Sequence, residues 1–237
     1  MTALTQTNAW GPDVSHWNPV AHWEQLAASG ATIFGAKVSD GATYADSSFH
    51  THRDGFRAQP NFLLGIYYHF ARMTGPADQQ ARRLVELVGD MEPRERLCLD
   101  FEEPSLCGLM GSALRVQAIA WIDLFMQTLL DGACSTRRPF LYTSQRVWAM
   151  IGNPSWTLAD EVDLWLPRYS ASMVPPLVPN PWNTWTLWQF SDGNVPSSIV
   201  PGIGACDTSV FAGDVAALAR YMAGGGTASG PIPQAQS

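Results

Sequence analysis

Short apolar runs alternate along the chain with longer segments of helical period. "TIFGAKVS" (32–39) precedes the helical "SSFHTHRDGFRAQ" (47–59), and "FLLGIYYHFA" (62–71) precedes "ADQQARRLVELVGD" (77–90). "RLCLDFE" (96–102) leads to a long helix over 113–132, with Gly132 placed as its C-cap. "RPFLYTS" (138–144) leads to "QRVWAMIG", and "VDLWLPRYS" (162–170) to a proline-rich loop. "WTLWQFSDG" (185–193) and a last helix "DVAALARYMAG" (214–224) complete the series. Strands that read as continuous apolar runs between helices are parallel strands under a helical cover. Repetition through nearly the whole chain predicts an α/β fold of the (β/α) barrel type rather than an open doubly wound sheet. No GxGxxG or Walker loop follows a strand, which weakens a nucleotide-binding reading.

One strand breaks the apolar pattern at its end. Leu97, Cys98 and Leu99 read as core, yet Asp100, Glu102 and Glu103 follow at once. An unpaired buried polar group costs several kcal/mol, so acids at this position call for a reason. Residues two apart share a strand face, which aligns Cys98, Asp100 and Glu102 and sets the two acids roughly 6–7 Å apart. In a barrel that face opens at the C-terminal mouth, where such folds place their active sites. Like charges at that range raise one pKa and leave a proton-bearing acid beside an ionised one, the equipment of glycoside hydrolysis. Glu103 points the other way, as a solvated or helix-capping acid. A D-x-E alone is also an ordinary surface pair. Asp13 in "GPDVSHWNP" and Asp207 in "GACDTSVF" change that, because acids near the first, middle and last strands meet only in a closed barrel.

These motifs, taken in order, resemble those of glycoside hydrolase family 25 lysozymes, the N-acetylmuramidases that include many bacteriophage endolysins. The matching stretches are "DVSHWN" (13–18), "FGAKVSDG" (34–41), "GIYYHF" (65–70), "LDFE" (99–102), "PFLYTS" (139–144), "DLWLPRY" (163–169), "WTLWQF" (185–190) and a final D-x-S-x-F at 207–211. The resemblance implies an irregular TIM-like barrel of eight strands with fewer helices than a full eightfold one. It implies cleavage of the β-1,4 bond after N-acetylmuramic acid in peptidoglycan, without a cofactor or metal. Glu102 matches the general acid, and Asp100 the carboxylate that steadies the substrate's N-acetyl group as it attacks the anomeric carbon. Asp13 and Asp207 match the other two acids of the cleft. Asp40 stands where relatives carry Glu, and Pro167 where they carry Ala. Substrate-binding positions are expected at Lys37, Tyr68, Tyr142, Trp165, Tyr169, Trp188 and Gln189, most of them at strand ends where flat rings can stack on sugars. Trp121, Trp23 and Trp148 are expected in the core, and His69 as a satisfied buried histidine.

Composition narrows the partners. A formal charge of −7 argues against nucleic acid, which needs clustered cations. Lys37 is the only lysine among 14 basic residues. It is either an aliphatic stem reaching out of a strand end or a cation kept for acids or a substrate oxygen. Cysteines 98, 107, 134 and 206 have no zinc-like spacing and are expected free and buried. No apolar run is long enough to span a membrane. A monomer is expected, with residues 1–223 as the catalytic domain and 224–237 as a Gly, Ser and Pro linker or tail. The N-terminus does not read as a signal peptide. The expectation is synthesis in a host cytoplasm and action on the wall after release, for host lysis by a phage. The rival readings are a non-catalytic wall-binding module, a metal-dependent carbohydrate deacetylase using His50 and His52, and a chitinase-like barrel, whose D-x-x-D-x-D-x-E run is missing.

Overall fold

The computed structural model describes residues 8–20 and 22–224. The expected linker beyond Gly224 lies outside the described residues. In chain order the elements are β1 (Asn8–Val14), α1 (Trp23–Ala28), β2 (Ile33–Asp40), β3 (Tyr44–Ala45), α2 (Phe49–Ala58), β4 (Leu64–Phe70), α3 (Ala77–Val88) and β5 (Glu95–Asp100). They continue with α4 (Gly111–Leu130), β6 (Phe140–Tyr142), α5 (Gln145–Met150), β7 (Asp163–Pro167), β8 (Leu187–Asp192), β9 (Ile199–Val200), β10 (Gly204–Ala205), β11 (Asp207–Asp214) and α6 (Val215–Ala223). The long helix α4 stops two residues before Gly132, with Asp131 in helical geometry as its C-cap.

Eight of these strands close into a barrel in the order β1-β11-β8-β7-β6-β5-β4-β2, sealed by parallel β1–β2 pairing. Seven run parallel. The eighth, β11, is antiparallel to both β1 and β8. The pattern of apolar runs predicted parallel strands throughout; here no helix separates β8 from β11, only the small β9–β10 ribbon, so the chain returns in the opposite direction. A parallel return would need a crossover of a dozen or more residues, usually a helix.

Period-two alternation sorts the side chains. Cys98, Phe140, Tyr142, Trp165 and Leu187 fill the barrel, while Phe34, Leu97, Leu99 and Leu141 face the helical layer with Phe56, Leu84, Phe125 and Trp148. Trp121 and Trp148 are buried and Trp23 packs against this layer, as expected. His69 joins it, held between Ser39 Oγ at 2.8 Å and Gln80 Oε1 at 2.9 Å. Burial brings its pKa down to about 4, so it is a neutral structural residue near pH 7. Because β11 runs downward, α6 emerges at the barrel floor, where Leu218 and Tyr221 close it against Phe211. All four thiols are free; three are buried, but Cys107 is exposed, in a left-handed turn after the short 3-10 helix at 103–106.

Candidate active site

A pocket at the barrel mouth is lined by Asp13, Tyr68, Asp100, Glu102, Tyr142, Trp165, Tyr169, Gln189 and Asp207. The four acids, drawn from positions nearly the length of the chain apart, therefore meet. Asp13, next to last in β1, is the cross-strand partner of Asp207, which begins β11. Asp207 reaches the mouth from the N-terminal end of its reversed strand, not from a C-terminal end as expected for a parallel one. Asp100 closes β5, and Glu102 follows in extended geometry before the 3-10 turn. In the ring of eight strands β5 stands diametrically across from β11, so Asp100 and Glu102 face Asp207 over the opening.

Local packing fixes these positions. Gly35 is the cross-strand neighbour of Asp13, and a Cβ there would lie 2.5 Å from the Asp13 Cβ, so only glycine leaves the carboxylate room. Gln189 is the hub of this pocket. Its amide nitrogen donates to both Asp13 oxygens, at 3.2 and 3.0 Å, and its carbonyl accepts from Tyr142 at 2.6 Å and from Tyr169. Trp165 is held by donating to Ser209 Oγ at 3.0 Å, and Tyr68 by donating to the Val14 carbonyl at 3.1 Å. On the other side, Ser105 Oγ accepts from the Glu102 main-chain N–H at 3.0 Å and the Ser105 main-chain N–H donates to the Glu102 carbonyl at 3.0 Å, the two halves of a capping turn that holds Glu102 in place.

All four acids hold their protons more tightly than ordinary carboxylates. Burial, then repulsion from Asp207, pushes Asp13 well up, against the hydrogen bonds from Gln189. Burial and the nearby Glu102 push Asp100 well up as well. Glu102 is raised by burial and moderated by the Lys37 cation, and Asp207 rises to about 6 through burial and the charges of Asp192 and Glu102. One Asp100 oxygen, Oδ1, is buried with no hydrogen-bond partner among the described residues. An orphaned buried acceptor of this kind is a vacancy for a donor.

Two of the expected binding residues lie elsewhere. Trp188 is 1% exposed and packs outward against Trp185 and Phe190, its indole N–H bonded to the Arg168 carbonyl. The reason is strand phase: its neighbour Gln189 faces inward, so Trp188 cannot. Lys37 lies in an adjoining groove, 3.5 Å from Asp40. Asp40, a departure from the motif, binds Arg72 through both carboxylate oxygens, at 2.7 and 3.0 Å. The groove residues Trp17, Tyr44 and Arg72 escaped sequence reasoning, although the solvated tryptophan of "DVSHWN" was a signal. Glu103 is exposed and pairs with Arg146 at 3.1 Å. Of the rival deacetylase's histidines, His52 is buried against Phe34 and His50 is exposed on α2.

The comparisons with known proteins agree with this architecture. The family model "Glycosyl hydrolases family 25" matches residues 12–199. The chain is 27% identical to Lysozyme M1 of Streptomyces globisporus over 215 residues, 88% of this chain and 69% of that one. It is 27% identical to the N,O-diacetylmuramidase of Arthroderma benhamiae, over 91% of this chain and 87% of the relative. The crystal structure of the bacterial lysozyme from Streptomyces coelicolor superposes with a TM-score of 0.78 at 26% identity, covering 91% of this chain and 97% of that one. With a matched family model over most of its length, a closed barrel and the acids gathered at its mouth, the chain belongs to glycosyl hydrolases family 25.

Proposed function

We propose that this enzyme is a muramidase, cleaving the β-1,4 bond between N-acetylmuramic acid and N-acetylglucosamine in peptidoglycan. The observation that carries the reading is the orphaned Asp100 Oδ1 beside the raised Glu102 carboxyl in one pocket. Glu102 donates its proton to the glycosidic oxygen as the bond to the anomeric carbon breaks. The acetamido carbonyl oxygen of the muramic acid attacks that carbon, and Asp100 accepts the acetamido N–H, the donor its free oxygen lacks. Water then opens the cyclic intermediate while the Glu102 carboxylate takes back a proton, so the configuration is retained. Asp13 and Asp207 face the reacting sugar across the opening, and the ionised form of that pair favours the positive charge developing on the ring. The relatives' names, a lysozyme and an N,O-diacetylmuramidase, support the substrate class. Lysis of a phage's bacterial host is the setting we attach to this activity, and it rests on the sequence alone.

Mass spectrometry of the products released from defined peptidoglycan tests the proposal. New reducing ends at muramic acid are expected; reducing ends at glucosamine, or freed amines, would overturn it. The pH profile is a second check. Activity requires the Glu102 proton, so it should peak below neutrality and fall as that proton leaves. Asp100 and Glu102 repel each other when both are ionised, so Asp100→Asn removes that repulsion, makes the last proton of the pair easier to lose and should move the alkaline limb to lower pH as well as slowing turnover. An unmoved or upward-moved limb would contradict the pairing of these two groups.

A further inference from the structure

A groove of about 740 Å³ opens beside the acid pocket. Its walls are the loop after β1 with His16 and Trp17, the β2–β3 hairpin with Lys37, Asp40 and Tyr44, and the loop after β4 with Arg72. The two cavities share a wall, since Lys37 is the cross-strand partner of Tyr68, which lines the acid pocket. The first loop is tied to the hairpin: Asp46 accepts from the His16 main-chain N–H at 3.1 Å and lies 2.9 Å from its ring nitrogen, which the Tyr44 hydroxyl also meets at 3.0 Å. Trp17 stands over this corner 81% exposed, a flat apolar face whose ring lies 4.4 Å from that of His16.

The charge here runs against that of the molecule. The protein carries −7 overall, and the neighbouring pocket holds four acids. The groove presents two cations, Lys37 and Arg72, against the single lining carboxylate of Asp40, with Asp46 buried behind the His16 and Tyr44 contacts. Asp40 grips Arg72 side-on, through Nε and Nη2, and the guanidinium lies 4.6 Å from the Phe70 ring centroid. That geometry leaves Nη1, and with it the end of the guanidinium fork, without a protein partner among the described residues. The Lys37 ammonium has three donors, and within ion-pair reach among the described residues only Asp40, at 3.5 Å. An Arg fork held from one side and open at its end matches a second carboxylate.

We propose that this groove is a carboxylate subsite, in which the open end of Arg72 together with Lys37 holds a carboxylate carried by the lactyl side chain of muramic acid, with Trp17 covering the adjoining chain. The carboxylate is either the lactyl group's own or an acidic position of the peptide attached to it. The site would offset the repulsion between an acidic enzyme and an anionic polymer, and it would choose muramyl glycans over neutral N-acetylglucosamine polymers. This inference rests on the muramidase reading and deepens it.

The test compares soluble glycan oligomers bearing peptide stems, the same oligomers stripped to the lactyl carboxylate, and each of these after chemical amidation of its carboxylates. For the wild-type enzyme, amidation should lower kcat/KM by about tenfold, mostly through KM, the size expected of one charge-assisted hydrogen-bonded pair. For Arg72→Gln the amidated and unmodified oligomers should be cut alike. That variant also leaves Asp40 paired only with Lys37; the general part of this disturbance is common to both substrates, and the uncovered Asp40 charge can only disfavour the unmodified oligomers, never restore the wild-type preference for them. A loss confined to stem-bearing oligomers assigns the subsite to a peptide carboxylate; a loss confined to stripped oligomers assigns it to the lactyl carboxylate, which the stem otherwise ties up as an amide; a loss on both supports a subsite that takes either. Equal sensitivity to amidation in both enzymes, or none in the wild type, would overturn the proposal. Salt provides an arm that needs no variant: rising ionic strength should weaken wild-type cleavage of the unmodified oligomers more than of the amidated ones, and equal salt responses would also overturn it. The reducing end of the products reports the bond cleaved whatever the carboxylate does, so failure of the subsite and failure of the muramidase reading remain distinct.

Discussion

Glu102→Gln is expected to leave the barrel folded and to lower peptidoglycan turnover by about 10²–10⁴-fold, the usual contribution of a positioned general acid. The amide has the same shape and no proton to give. Its backbone role survives the change, because main-chain groups close the turn, the Glu102 N–H donating to Ser105 Oγ and its carbonyl accepting from the Ser105 N–H, and the side-chain oxygen of glutamine can still accept. Removing a buried, proton-holding acid from a cluster of four should not weaken the fold, and the melting temperature is expected to hold or rise. The next residue provides the control. Glu103 lies exposed on the far side of the chain, and its ion pair with Arg146 is a surface pair of a kind worth about 1 kcal/mol or less. Glu103→Gln should therefore cut peptidoglycan like the parent. Release of muropeptides, measured beside a thermal melt, separates the outcomes: a folded Glu102→Gln enzyme with parental turnover would remove Glu102 from the chemistry.

The adjacent glutamates show how far sequence reaches. That Glu102 and Glu103 oppose each other followed from strand periodicity alone, because a strand end with acids on one face must open somewhere wet. Strand positions were readable for the same reason: residues buried on both faces produce continuous apolar runs. That feature also hides the phase. In "WTLWQF" both faces of β8 are covered, one by the barrel interior and one by the outer cluster of Trp185, Leu164 and Val210, so hydrophobicity does not tell Trp188 from Gln189. Only the register with β11, which sets Gln189 beside Ser209, places the amide inside. Strand direction is hidden too, since an apolar run reads the same either way and the reversal of β11 lies in the missing helix before it. The groove is assembled from three loops, and its charge balance depends on which edge of Arg72 Asp40 occupies, a matter of side-chain geometry that no spacing records.

Glu95→Ala is expected to produce the largest loss of stability of any single change at the barrel floor, about 3–5 kcal/mol at neutral pH. In the sequence this residue is one acid among several in "MEPRERL". In the fold its side chain is fully buried beneath α2, where Arg53 reaches it at 3.0 Å, Arg57 at 2.7 and 2.8 Å, the Tyr67 hydroxyl at 2.7 Å and the Glu92 main-chain N–H at 2.8 Å. Arg53 also donates to the carbonyls of Val88 and Asp90, so the same cluster fastens α2 to the end of α3 and the loop after it. Truncating Glu95 leaves the buried Arg53 cation without its counter-ion and the Tyr67 hydroxyl without its acceptor, which costs far more than an intact buried pair contributes. Burial alone would raise the Glu95 carboxyl, but the hydrogen bonds from Arg57, Arg53 and Tyr67 hold it down to about 2. A depressed folded-state pKa adds stability that is complete above the unfolded value, about 4.3, and lost as pH falls through the folded one. The deficit of Glu95→Ala should therefore be constant near neutrality and shrink as the pH drops from about 4.3 toward 2. Urea unfolding across that range measures it, and a deficit below about 1 kcal/mol at neutral pH would show that the cluster is not coupled to global unfolding. The acids at the mouth titrate with raised pKa values, so their contribution runs the other way, fully present below the ordinary carboxylate range and lost as pH rises. With the floor and the mouth at opposite ends of the barrel, Glu95→Ala should keep its turnover at temperatures where it stays folded, the converse of Glu102→Gln.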